Sequence, residues 1–143
     1  MTRRLLLISL FVLALAPRGA FADPGYRVIV NSQNPLTTVS KSLLSKMFLK
    51  THTAWSNGNR IMPVDQRATS KVRDAISRAV HGRSATVIKN WWNQQIFAGK
   101  GVPPPELTSD AKVIAYVIAN PGAVGYVSTD ANVSDVKVVA VTE

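Results

Sequence analysis

Six consecutive positions within the stretch PVDQRATSKVRDAI (residues 63–76) carry an amide (Gln66), two cations (Arg67 and Lys71) and two hydroxyls (Thr69 and Ser70). An apolar run leads into them and an amphipathic stretch follows, so the polar cluster falls where a strand turns into a helix. The first N–H groups of a helix have no acceptor inside it and carry partial positive charge. Hydroxyls add donors there, and an arginine adds a charged fork. The chemistry on offer is the capture of a small anion. The same residues also read as a plain helix start, with Thr69 or Ser70 as an N-cap that contributes about 1 kcal/mol.

Other chemistry is sparse. His52 and His81 stand in separate segments, and neither has a second ligand at helical spacing or a serine on a strained elbow. His81 precedes Gly82, where an imidazolium would complement a helix dipole. The carboxylates Asp65, Asp74, Glu106, Asp110, Asp130, Asp135 and Glu143 form no evident acid/base pair. The chain has no cysteine, which excludes thiol nucleophiles, Cys-ligated zinc, iron–sulfur clusters and disulfides. We therefore expect no catalytic residue, no metal and no cofactor, and not an enzyme.

The elements that must position these residues follow from patterning. Arg3 and Arg4, an apolar run over residues 5–16 and Ala20-Phe21-Ala22 read as a secretory signal peptide cleaved before Asp23, with no lipoprotein cysteine after it. The run is shorter than the roughly 20 residues a membrane span needs. Residues 23–143 then form one domain. Leaving out Arg3, Arg4 and Arg18, 14 of the 17 Lys and Arg face 8 acidic residues, a diffuse positive surface suited to anionic partners. An exported address argues against nucleic acid.

Tyr26-Arg27-Val28-Ile29-Val30 reads as a strand, and Thr38 or Ser40 caps a helix with Val39, Leu43, Leu44, Met47 and Phe48 at helical spacing. A strand over residues 60–64 leads into the polar cluster. A helix follows with Val72, Ala75, Ile76, Ala79 and Val80 on one stripe, closed by Gly82. Ser84 opens a third helix whose apolar line is Val87, Ile88, Trp91, Trp92, Gln95 and Ile96, with the tryptophans in the core or one ring at the rim of a cleft or an interface. Three prolines make residues 100–105 an extended linker. Thr108 or Ser109 starts a fourth helix, and strands at residues 123–127 and 136–141 finish the chain. The expected order is β-α-β-α-α-α-β-β, an α/β layer structure with a parallel component.

Four separated signals share one order. Val28-Ile29-Val30-Asn31 precedes Pro35; Leu43-Leu44-Ser45-Lys46-Met47-Phe48-Leu49-Lys50 runs on to Trp55; a strand enters the helix start at Thr69-Ser70; and Pro121-Gly122-Ala123-Val124-Gly125-Tyr126-Val127 opens a strand. Together they resemble the second lobe of the phosphate-type substrate-binding proteins of ABC transporters, in the type II periplasmic binding protein fold, over about residues 26–128.

The resemblance implies a single α/β lobe with a mixed, mostly parallel sheet flanked by helices. In full-length members two such lobes close on the ligand, and helix N-termini grip the oxyanion. The implied ligand-binding residues here are Asn31, Ser32, Gln66, Arg67, Thr69, Ser70 and Lys71. Relatives carry an Arg-x-Asp-Gly-Ser-Gly-Thr-like segment at the opening stretch; Gln66 falls at its arginine and Ser70 at its serine, while Thr69 and Lys71 replace its glycines. The implied function is a periplasmic or secreted binding module for phosphate or a similar small oxyanion, linked to ABC-type uptake. The alternative is a ligand-free protein-interaction or sensor module that touches a permease, a membrane receptor or a second copy of itself.

Overall fold

A computed structural model describes residues 23–143. The expected signal peptide lies outside the described residues. The strands are β1 (Arg27–Val30), β2 (Thr38–Ser40), β3 (Met62–Pro63), β4 (Asp65–Gln66), β5 (Glu106–Leu107), β6 (Ala123–Val127) and β7 (Lys137–Thr142). The α-helices are α1 (Lys41–Phe48), α2 (Lys71–Ile76), α3 (Ala85–Phe97) and α4 (Asp110–Ala119).

Five strands form one sheet in the order β2-β7-β1-β6-β3, and β4 pairs with β5 beside it. β1 is antiparallel to both β6 and β7, while β2 runs parallel to β7 and β3 parallel to β6. Four of the five strands therefore point one way, and only β1, at the centre, is reversed. The sheet is mixed, as expected from the sequence, with two parallel and two antiparallel pairings.

Alternation along the strands builds two cores. Val28 and Val30 of β1 and Val124 and Tyr126 of β6 face Leu44, Met47 and Phe48 of α1 and Val72 and Ile76 of α2. Ile29, Ala123 and Val127 face the opposite way, against Val113 and Val117 of α4. Gly125 lies where α4 comes closest, and a Cβ there would sit 2.8 Å from Val113 and 2.9 Å from Val64.

Local signals set the helix ends. Ser40, Ser70, Ser84 and Ser109 are the N-caps, each accepting from the amide three residues on. Gly82 (φ 67°) and Gly99 (φ 68°) take the left-handed conformation past helix ends. Several details depart from the sequence reading. Thr38–Ser40 is a strand, so Val39 packs from β2 and not from the first helix, and the two-residue strands β4 and β5 add to the expected order. The second helix changes to a π-helical turn over Ser77–His81, where Ser77 Oγ donates to the Arg83 carbonyl at 2.7 Å. In α3 the buried line is Ala85, Ile88 and Trp92, leaving Val87 and Ile96 exposed. A single layer of contact against α2 covers only one stripe of that outer helix, and Trp91 stacks edge-on to Trp92 at its margin.

Candidate functional site

The residues of the polar cluster split into those that face inward and those left at the surface. Gln66 ends β4 and is buried. Its Nε2 donates to Asp110 Oδ1 (2.8 Å) and to the Tyr126 carbonyl (3.2 Å), and its Oε1 accepts from Ser70 Oγ (3.3 Å). Ser70 Oγ also accepts from the Arg73 amide at 3.4 Å, so the hydroxyl is committed as the cap of α2. Arg67, Thr69 and Lys71 are exposed around it. The Lys71 and Val72 amides, in the first turn, have no acceptor within the helix.

Beneath this start lies a buried ionic network that the sequence reading did not single out. Arg73, 3% exposed, donates from NH1 to the Gln66 carbonyl and to Glu106 Oε1, both at 2.7 Å, with NH2 3.6 Å from Asp65 Oδ2. Tyr126 OH donates to Asp65 Oδ1 at 2.7 Å and accepts from the Gln66 amide at 2.9 Å. Burial raises the Asp65 carboxyl above its usual range, and Arg73 and the tyrosine hydroxyl counter only part of that. The tyrosine hydroxyl is itself pushed well up, by burial first and Asp65 second. Arg73 thus spends its charge on the protein's own carboxylates. Glu106 lies 33 residues further along, on β5, and no local pattern could have joined it to Arg73.

Asp110, at the first turn of α4, gathers the neighbouring donors. It accepts from Gln66 Nε2, from the Ser128 amide at 3.2 Å and from Ser128 Oγ. An internal carboxylate therefore occupies the donors closest to Gln66, and the outward anion-binding potential rests on the Lys71 and Val72 amides with Arg67, Thr69 and Lys71.

Asn31 and Ser32 do not join this group. β1 is reversed relative to β3 and β6, with Val30 opposite Val124 and Arg27 opposite Val127. The carboxyl end of β1 therefore lies at the opposite end of the sheet from Gln66, which bonds the Tyr126 carbonyl. Asn31 is buried and structural: its Nδ2 donates to the Val117 and Ile118 carbonyls at 3.0 and 3.1 Å, closing the end of α4. Ser32 is exposed beside it.

His81 also departs from expectation. Its Nδ1 lies 2.7 Å from Ser45 Oγ, and burial, with Arg73 second, pushes the imidazole down to about 4. It is a neutral link between the π turn and α1, not a charge on a helix end. Among the described residues no cluster of three His, Asp or Glu is placed to hold a metal, and no helix is long and apolar enough to cross a membrane.

No family model and no curated protein matches the sequence. Solved structures do match in shape. An ABC-type phosphate transport receptor from Vibrio cholerae superposes with TM-score 0.63 at 18% identity, over 83% of this chain and 48% of that one. A putative phosphate ABC transporter substrate-binding protein with bound phosphate, from Clostridium perfringens, gives 0.62 at 19%, over 84% and 47%. A possible phosphate binding protein from Planctomyces limnophilus gives 0.63 at 17%, over 83% and 42%. The chain spans less than half the length of each of these structures. At such identities the likeness establishes the fold alone: the chain has the architecture of one lobe of these structures, as the sequence motifs led us to expect.

Proposed function

We propose that the chain is an exported, substrate-binding-protein-like module whose α2 start takes phosphate or a similar small oxyanion weakly, in association with ABC-type uptake. The observation that carries this reading is the open first turn of α2: two helix amides without an intrahelical acceptor, ringed by Arg67, Thr69 and Lys71. Helix amides and cations converge on anions. The solved structures of this fold include one with bound phosphate, which supports the ligand class. Export, cleavage near Ala22 and contact with a permease rest on the leader-like sequence and on that similarity.

Weakness follows from the geometry. Ser70 and Gln66 are engaged inward and Arg73 is neutralised by Asp65 and Glu106, so only surface groups remain. An open face also leaves the anion solvated, which cuts each electrostatic contact. We expect a Kd on the order of 1 mM, equivalent to about −4 kcal/mol. Isothermal titration of residues 23–143 with inorganic phosphate tests it; Lys71→Ala should weaken binding, and an unchanged affinity in that variant would remove the site from α2.

A second reading has its own observation. Phe97, at the end of α3, is 97% exposed, and the preceding Ile96 and Val102, five positions on, are exposed as well. Exposed apolar groups of this kind mark interaction surfaces. In that reading the lobe is a protein-interaction or sensor module, and light scattering after size exclusion would show a dimer that Phe97→Ser dissolves. A monomer at every concentration would exclude self-association.

A further inference from the structure

At the opposite end of the sheet from the α2 start, an open groove of about 770 Å³ runs between the β1–β2 loop, α1 and the turn at Trp55. Its size falls in the range of small-molecule sites. Its lining is unusual for this chain. No Asp, Glu, Lys or Arg contributes to it, although the described residues carry 14 cations and 8 carboxylates. The polar part is made of amides and hydroxyls, among them Gln33, Asn34, Thr37 and Asn59, and the apolar part centres on Trp55 and Met47.

Two features show a built surface. Trp55 is pinned: its Nε1 donates to the Gly122 carbonyl at 3.0 Å, and the ring packs against the core beneath. Asn34 is only 7% exposed. Its Oδ1 accepts from the Leu36 amide at 2.9 Å and its backbone carbonyl from Lys137 Nζ at 2.9 Å, which holds the residue in place at the groove wall.

We propose that this groove binds a neutral sugar ring. A sugar presents an apolar C–H face, which suits a fixed indole, and hydroxyls that both donate and accept, which suits carboxamides and hydroxyls. His52 and the first turn of α1 also border the groove, but no Lys or Arg lines it, which favours a neutral ligand over an anion. The ring hydroxyl nearest Asn34 accepts from its Nδ2, and Gln33 and Asn59 hold the rim. The site is independent of the α2 start, so either can fail without the other.

The test is a ¹⁵N–¹H titration of residues 23–143 with glucose, galactose, N-acetylglucosamine and maltose, alongside inorganic phosphate. The expected result is saturable movement of the Trp55 indole and Asn34 side-chain signals by at least one sugar, with the Lys71 and Val72 amides unmoved. The variant Gln33→Ala/Asn59→Ala changes two exposed residues, so it should keep its melting temperature and lose about fivefold in affinity, roughly 1 kcal/mol. Maltose binding more tightly than glucose would point to the end of a glycan chain, and equal binding to a free monosaccharide; both support the site. No saturable shift from any sugar, sugar shifts confined to other residues, an unchanged affinity in the double variant, or phosphate moving the groove signals would overturn it.

Discussion

Acid should loosen this fold through His81 in a way that a single substitution isolates. The imidazole is half-buried against Ser45, with a pKa of about 4 in place of the ordinary 6.5. The folded value lies below the unfolded one, so as pH falls the unfolded chain takes up the proton first. The stability tied to a neutral His81 is complete above about pH 6.5 and is lost as pH drops toward about 4. At roughly 1.4 kcal/mol per unit the whole effect is about 3.5 kcal/mol, of which about 2.5 kcal/mol is gone at about pH 4.5.

Asp65 works in the opposite sense, because burial raises its carboxyl and its share declines as pH rises. Asp74 and Asp130 are held low by Arg78 and Ser128 respectively, so their shares are lost only at lower pH. Subtracting a His81→Asn variant from the wild type removes all three. Urea denaturation at about pH 7 and about pH 4.5 should show the wild-type advantage shrinking by about 2–3 kcal/mol. A difference between the two proteins that stays constant over that range would refute the neutral assignment.

Other perturbations follow from the same contacts. Arg73→Ala strands the buried Asp65 carboxylate and should cost about 3–5 kcal/mol, while Arg73→Met combined with Asp65→Asn should cost clearly less, as thermal melts would show. Gly125→Ala drives a methyl into Val113 and Val64 and should destabilise by about 1–3 kcal/mol. Ser40→Ala removes the cap that accepts from Leu43 and should cost about 1 kcal/mol in urea denaturation.

Much of the architecture was legible in the chain because local rules governed it. The four serine caps, the glycines at positions 82 and 99 and the alternation in β1 and β6 each act within a few residues. The site was legible only in part, for reasons of distance and direction. Patterning gives a strand but not its polarity in the sheet, so Asn31 and Ser32 were grouped with a helix start that lies at the other end of the sheet. The pairing of Arg73 with Asp65 and Glu106 depends on β4 meeting β5, two-residue strands that no periodicity can announce. Burial of Gln66 has the same origin, since the acceptors of its amide come from α4 and β6. The apolar pattern of α3 covers two faces and only one has a neighbour, so pattern alone does not separate Val87 and Ile96 from the buried line.

The most direct test of the central claim is an amide-resolved titration of residues 23–143 with inorganic phosphate at constant ionic strength. The account predicts saturable shifts of the Lys71 and Val72 amides with a Kd on the order of 1 mM, reduced by Lys71→Ala and left nearly intact by Asn31→Ala variants that remain folded. Absence of any shift at those amides up to about 50 mM phosphate, or submicromolar binding that requires Asn31, would contradict it.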